Sequence, residues 1–249
     1  MKMMDDVLIS LRKISKSYKS ENGIVKVIDD ITMDIKKEFL VILGPSGCGK
    51  STLLRIIAGV ESYSGGEIYY ASGRVPKIGF VFQFPSLLPW MTVIDNVSLP
   101  LKNMGLGKDE AKETAKRYLS LVGLSGFEEL YPYELSGGMR QRVNLARALA
   151  IQPEILLMDE PFSNLDPLTA ESLRAEVLDI WLSGITPLKA IVMITHSVDE
   201  AIFLADRIVI LTPRPSKIAK ELKVNLPRPR NRRSAEFEQL EDLVYSYVS

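Results

Sequence analysis

Residues 44–52 read GPSGCGKST and residues 134–142 read ELSGGMRQR. Each is a glycine turn that runs into a helix-forming stretch. Such a turn aims backbone N–H groups and the positive end of a helix at a phosphate. The first follows an apolar strand and fits G-x-x-x-x-G-K-[ST], in the strand–loop–helix context that this motif requires. Gly44, Pro45, Ser46, Gly47, Cys48, Gly49, Lys50, Ser51 and Thr52 are therefore the candidate phosphate-binding residues. In this reading Lys50 reaches the β- and γ-phosphates of ATP and the Ser51 hydroxyl sits on Mg²⁺. Cys48 reads as a small filler residue inside the loop.

A phosphate-bound metal needs a further carboxylate. The stretch ILLMDE places Asp159 at the carboxyl end of a buried strand, where α/β sheets bind ligands, so Asp159 is expected to hold Mg²⁺, directly or through water. Glu160, one residue on, is the candidate base that orients and deprotonates water, which favours hydrolysis over transfer to another acceptor. His196 is the only histidine. It follows the apolar strand AIVMIT and falls on the same edge, where a neutral imidazole could bond a γ-phosphate oxygen or the attacking water. Gln83 closes GFVFQ on that edge and can ligate Mg²⁺ or water.

Five short apolar runs must place these groups: residues 39–43, 78–82, 155–158, 190–194 and 208–211. They are short, β-branched or aromatic, and read as buried strands. Helices are expected at Lys50–Ala58, ended by Gly59, at Pro167–Leu182 with Asp166 as N-cap, and after Ser197, with Glu200 completing a capping box. Alternation of strand and helix predicts an α/β layer fold with a mostly parallel sheet. Residues 7–36 and 65–75 look like an antiparallel piece. Residues 92–151 read mostly helical, with 109–122 as one helix. This gives a core and β subdomain at about 1–83 and 152–212, and an inserted α-helical subdomain at about 84–151. The tail, 213–249, is rich in proline and arginine (LTPRPSK, LPRPRNRR) and carries a short acidic helix candidate at 234–247.

If the first corner holds the chain's own nucleotide, the second needs another phosphate, and 249 residues leave no room for a second nucleotide fold. The economical solution is a two-fold homodimer in which each subunit's second corner grips the nucleotide of the other. Here the motifs resemble a known family. LSGGMRQR is similar to the signature motif of ABC-type ATPases. GPSGCGKST, ILLMDEP and the histidine of THS correspond to its Walker A, Walker B and switch-histidine motifs, SNLD at 163–166 to its D-loop, and Gln83 to its Q-loop. Asn164 departs mildly from the usual SALD, and KKEFLVILG lacks a glycine common before the Glu.

The resemblance spans about residues 7–212 and implies a P-loop NTPase (RecA-like) core with antiparallel β and inserted helical subdomains. It implies that Tyr18 stacks on adenine, and that Ser136, Gly137 and Gly138 contact the γ-phosphate held by the facing subunit. ATP would close the dimer, and hydrolysis would reopen it. Finer stretches, SLLPWMTVIDNVSLPL and LPRPRNRR among them, resemble ATP-binding subunits of nitrate, sulfonate and taurine importers. This implies transmembrane permease subunits as partners, an extracytoplasmic solute-binding protein indirectly, and a peripheral place on the cytoplasmic face of the cell membrane.

Bulk properties agree. Lys plus Arg and Asp plus Glu are each 31, and zero net charge argues against a nucleic-acid binder. One cysteine excludes an intrachain disulfide and suggests a reducing compartment. No apolar run of about 18 residues occurs, and MKMMDDVLISLRK carries no export signal. Phe84, Leu87, Leu88, Trp90 and Met91 read either as core of the helical lobe or as a surface groove for a partner helix. Arg228, Arg230, Arg232 and Arg233 read either as a contact to anionic headgroups or as a solvated tail. The rivals are a non-transport ABC ATPase acting on DNA or ribosomes, an export or lipoprotein-release ATPase, and a small-molecule kinase. The last leaves ELSGGMRQR unexplained.

Overall fold

A computed structural model describes residues 6–21 and 23–248. Residues 1–5, part of the stretch MKMMDDVLISLRK on which the reading of an absent export signal rests, lie outside them. In chain order the elements are β1 (Val7–Ser20), β2 (Gly23–Lys36), β3 (Phe39–Leu43), α1 (Lys50–Ile57), β4 (Gly65–Tyr70), β5 (Ile78–Val81), α2 (Val93–Asn103) and α3 (Lys108–Leu121). They continue with α4 (Gly137–Ala150), β6 (Ile155–Asp159), α5 (Pro167–Ser183), β7 (Ala190–Thr195), α6 (Val198–Leu204), β8 (Arg207–Leu211), β9 (Ile218–Lys223) and α7 (Ala235–Val248). Two compact units result: Met1–Pro76 with Lys189–Ser249, and Lys77–Leu188.

In the first unit β3 runs parallel between β7 and β8. A strand buried on both faces needs apolar residues at every position rather than at alternate ones. FLVIL and AIVMIT supply them, and every residue of both strands is buried. The antiparallel piece is a three-stranded sheet in the order β2-β1-β4. Its inner face takes Ile9, Leu11 and Ile14 of β1. In the second unit β5 pairs parallel with β6, and α2, α3 and α4 form the helical part expected from residues 92–151. Asp166 caps α5 by accepting from Thr169 N at 3.1 Å.

The C-terminal stretch is not a solvated tail. Residues 218–223 form β9, antiparallel on β8. IAKELK escaped the sequence reading because most of its side chains face solvent, as on an edge strand guarded by charge. Arg230 is buried, and its Nη1 donates to the carbonyls of Ile202 (2.7 Å), Phe203 (3.1 Å) and Ala205 (2.6 Å). These lie at the C-terminal end of α6, where helical carbonyls lack partners and a cation is favoured. Arg228 pairs with Asp206 and donates to Leu204 O at 2.5 Å. Arg232 lies 4.3 Å from the Phe203 ring centroid and 3.4 Å from Asp199. Three of the four arginines are thus committed to the fold, which overturns both the headgroup and the solvated reading for them; Arg233 remains exposed.

Burial pushes the Arg230 guanidinium down to about 10, with the Arg228 charge adding to the effect. It stays protonated at neutral pH. Arg230→Met keeps the apolar stem and removes the donors. It is expected to lower stability by about 2–3 kcal/mol, the worth of charge-assisted hydrogen bonds whose buried partners are then stranded. A urea midpoint unchanged from the parent would show that the α6 carbonyls find equal partners without it.

Candidate functional site

The candidate residues divide between the two units. In the first, β3 and β7 pair in register, Leu43 beside Thr195. Gly44 and His196, which follow those residues, therefore leave the sheet at the same edge. From Gly44 the chain makes the phosphate loop and enters α1 at Lys50. Gly49 has φ 114°, and a Cβ there would lie 2.8 Å from Val27 Cγ1, so only glycine fits. Lys50 is buried, and its Nζ donates to the carbonyls of Gly44 (2.8 Å) and Pro45 (3.1 Å). Ser51 and Thr52 are half-buried in the first turn of α1, while Ser46 and Gly47 are exposed.

Cys48 is buried, and its burial pushes the thiol above its ordinary range, against the opposing Lys50 charge. A protonated, enclosed thiol is a poor nucleophile, in keeping with a filler. His196 is exposed. It is flanked by a small network: Thr195 Oγ1 donates to Glu200 Oε2 at 2.6 Å, and Ser197 Oγ caps α6 by accepting from Glu200 N at 3.3 Å. Tyr18, on β1, is 38% exposed, with Lys16 Nζ 4.7 Å from its ring centroid. Lys16 is itself held by Glu61 at 2.6 Å.

In the second unit the parallel register of β5 and β6, Val81 beside Met158, brings Gln83 and the Asp159–Glu160 pair to one sheet edge. Asp159 ends β6 and is buried; Glu160 is half-buried. Glu160 has φ 42°, a left-handed conformation that costs a non-glycine residue about 1–3 kcal/mol and clusters at functional sites. Its carbonyl accepts from Ser163 Oγ (3.0 Å) and Ser163 N (3.3 Å). The same Ser163 hydroxyl accepts from Gln83 Nε2 at 3.3 Å.

The signature segment joins this network. Ser136 caps α4 by accepting from Met139 N at 3.2 Å. Ser136 and Gly137 are exposed, and a Cβ on Gly137 would meet nothing within 4 Å. Gly138 differs: a Cβ there would lie 2.3 Å from Thr169 Cγ2. It is a packing glycine between α4 and α5. One turn on, buried Gln141 donates to Pro161 O (2.9 Å) and Phe82 O (3.2 Å), and buried Asn144 donates to Phe82 O (2.9 Å). These two amides tie α4 to the backbone beside Gln83 and beside Glu160. The sequence reading missed them, although a Gln and an Asn on the apolar face of a helix are the available sign.

Phe84 and Trp90 are 66% and 71% exposed, and Leu87, Leu88 and Met91 are half-buried. That excludes the core reading for Phe84 and Trp90. Asn96 holds the loop behind them: its side chain accepts from Leu88 N (2.7 Å) and donates to Leu88 O, Met91 O and Thr92 O. A cavity of about 280 Å³ beside Phe84 is lined by Gln83, Pro85, Gly137, Arg140 and Gln141, among others. In the second unit Asp159 and Gln83 bring a carboxylate and an amide oxygen to one sheet edge, and in the first Ser51 carries a hydroxyl; each is a hard oxygen donor of the kind that Mg²⁺ takes. Among the described residues no helix is long and apolar enough to cross a membrane.

Comparison with known proteins agrees with these motifs. Residues 28–163, more than half of the chain, match the family model described as ABC transporter. The aliphatic sulfonates import ATP-binding protein SsuB of Bacillus thuringiensis is 42% identical over 93% of this chain and 92% of its own. The nitrate import ATP-binding protein NrtD of Synechocystis sp. is 43% identical over 96% and 94%. Among solved structures, the dimeric ATP-binding cassette MJ0796 bound to ADP and Pi superposes with TM-score 0.76 at 32% identity, covering 88% of this chain and 99% of that one. With that fold and those motifs, the chain belongs to the ABC transporter family, as an ATP-binding subunit: an ATPase coupled to transport.

Proposed function

We propose that this chain energises uptake of a small anionic solute, of the sulfonate or nitrate kind, through separate transmembrane subunits at the cytoplasmic face of the membrane. The observation that carries the reading is the 42–43% identity, over nearly the whole chain, to import subunits named for those solutes. The solute itself would be met by an extracytoplasmic binding protein and by the permease. The exposed Phe84 and Trp90, beside the cavity next to Gln83, suit a helix of that permease.

In the proposed mechanism the loop amides and Lys50 bind the phosphates of ATP, and Tyr18 stacks on the adenine. Lys50 exchanges its two carbonyl bonds for phosphate oxygens. Ser51, Asp159 and Gln83 would hold Mg²⁺, which supplies charge neutralisation at the phosphates. Glu160 orients the attacking water and takes its proton, and His196 donates to a γ-phosphate oxygen. Ser136 and Gly137 approach the nucleotide of a second copy, as expected for the exposed, uncrowded end of α4. The dimeric state of the MJ0796 cassette supports that arrangement. Gly138 contributes by letting α4 close on α5.

Affinity purification of the tagged chain from gently solubilised native membranes tests the reading. A multi-span permease is expected to come with it, and the associated binding protein should titrate with a sulfonate or nitrate. A chain that arrives bound to nucleic acid, or with no membrane protein, would move the assignment to a non-transport ABC ATPase.

A further inference from the structure

The stretch LTPRPSK has no part in the site described so far. The structure places it in the turn between β8 and β9, and the turn is firmly held. Thr212 N donates to Lys217 O and Lys217 N to Thr212 Oγ1, each at 2.9 Å. Ser216 is fully buried and is bound to β2: its N donates to Val27 O at 2.9 Å, its hydroxyl to the same oxygen at 3.2 Å, and its carbonyl accepts from Asp29 N at 2.9 Å. Lys217 Nζ lies 3.1 Å from the Asp29 carboxylate. Val27 is the residue whose methyl stands where a Cβ of Gly49 would go. The turn and the phosphate loop thus share one wall.

From this turn Arg214 reaches the loop. Its Nη2 and Nε donate to a single acceptor, the Gly47 carbonyl, at 2.8 and 3.2 Å. Gly47 has φ 74° and no side chain, so nothing of its own holds the following peptide in one orientation. In a trans peptide the C=O and the next N–H point opposite ways. With the Gly47 carbonyl drawn to Arg214, the Cys48 N–H turns to the other side, where it donates to Pro45 O at 3.3 Å. Lys50 Nζ donates to that same oxygen at 3.1 Å. Two donors therefore converge on one oxygen within the loop, an arrangement that an anionic phosphate oxygen could take over.

We propose that Arg214 is a positioning residue for the phosphate loop, holding the Gly47–Cys48 peptide with its carbonyl outward and its N–H toward the nucleotide phosphates. Its guanidinium also adds positive charge beside the loop. The inference rests on the reading that residues 44–52 bind ATP, and it deepens that reading. A residue that only anchored the hairpin would be needed for folding and not for affinity. A positioning residue is needed for affinity even when the fold is intact.

The test is calorimetric ATP binding and steady-state ATPase for the parent, Arg214→Met and Arg214→Lys, with Tm measured for each. Arg214→Met is expected to raise the ATP Kd about tenfold, the scale of lost charge-assisted hydrogen bonds. KM should rise more than kcat falls, and Tm should stay at the parent value. Arg214→Lys, which keeps the charge and one reaching donor, should recover part of the affinity. Parental Kd in Arg214→Met would overturn the proposal, as would a lowered Tm and kcat at unchanged KM. A parent chain that itself binds no ATP would overturn the nucleotide reading and this proposal with it.

Discussion

Glu160→Gln is expected to retain ATP binding and to lose steady-state ATPase by about 10²–10⁴-fold, the range associated with removing a general base. The substitution keeps the shape and reach of the side chain but removes its negative charge and its ability to take a proton. The backbone is the reason to expect a clean result. Glu160 sits at φ 42°, with its carbonyl held by the amide and hydroxyl of Ser163. Side-chain direction there is set by a strained turn that a Gln inherits unchanged. ATP should therefore bind, close the dimer and persist unhydrolysed. Phosphate release and nucleotide retention, measured on the same sample, check both halves. Steady-state ATPase equal to the parent's would remove Glu160 from the role of base.

Much of this could be read from the chain because the chemistry depends on backbone geometry that leaves residue-specific traces. A loop that turns its amides inward needs glycine at fixed places, so GPSGCGKST is visible without any knowledge of its neighbours. Strands buried on both faces need uninterrupted apolar runs, so β3, β6 and β7 were visible too. What stayed hidden depends on long-range contacts. β9 reads as polar because its outward residues outnumber its inward ones. Arg230 looks like part of a basic tail until α6 presents three carbonyls to it. Gln141 and Asn144 are ordinary helix residues by type, and their meaning comes from the backbones of Phe82 and Pro161, far away in sequence. The two signature glycines are identical in sequence, yet only Gly138 is closed off, by Thr169 of α5.

That difference between the glycines sharpens the second prediction. Ser136→Arg is expected to leave ATP binding by the monomer intact and to abolish both the ATP-dependent dimer and the ATPase that depends on it. Ser136 and Gly137 are exposed at the start of α4, and space around Gly137 is open within the chain itself. In the proposed dimer closed over two nucleotides that space would take the partner's ATP, and an arginine side chain would fill it. The substitution also removes the α4 cap, which accepts from Met139 N. Losing such a cap to a non-capping residue costs about 1 kcal/mol, whereas Ser→Gly costs only a few tenths. Ser136→Gly therefore separates the effects, since it adds no bulk and keeps the helix nearly as stable. It should still dimerise, more weakly for want of the hydroxyl. Light scattering with ATP, in a Glu160→Gln background so that nucleotide is not consumed, reads the outcome directly. A normal ATP-dependent dimer in Ser136→Arg would mean that this face does not meet a second subunit, and the second phosphate corner would need another explanation.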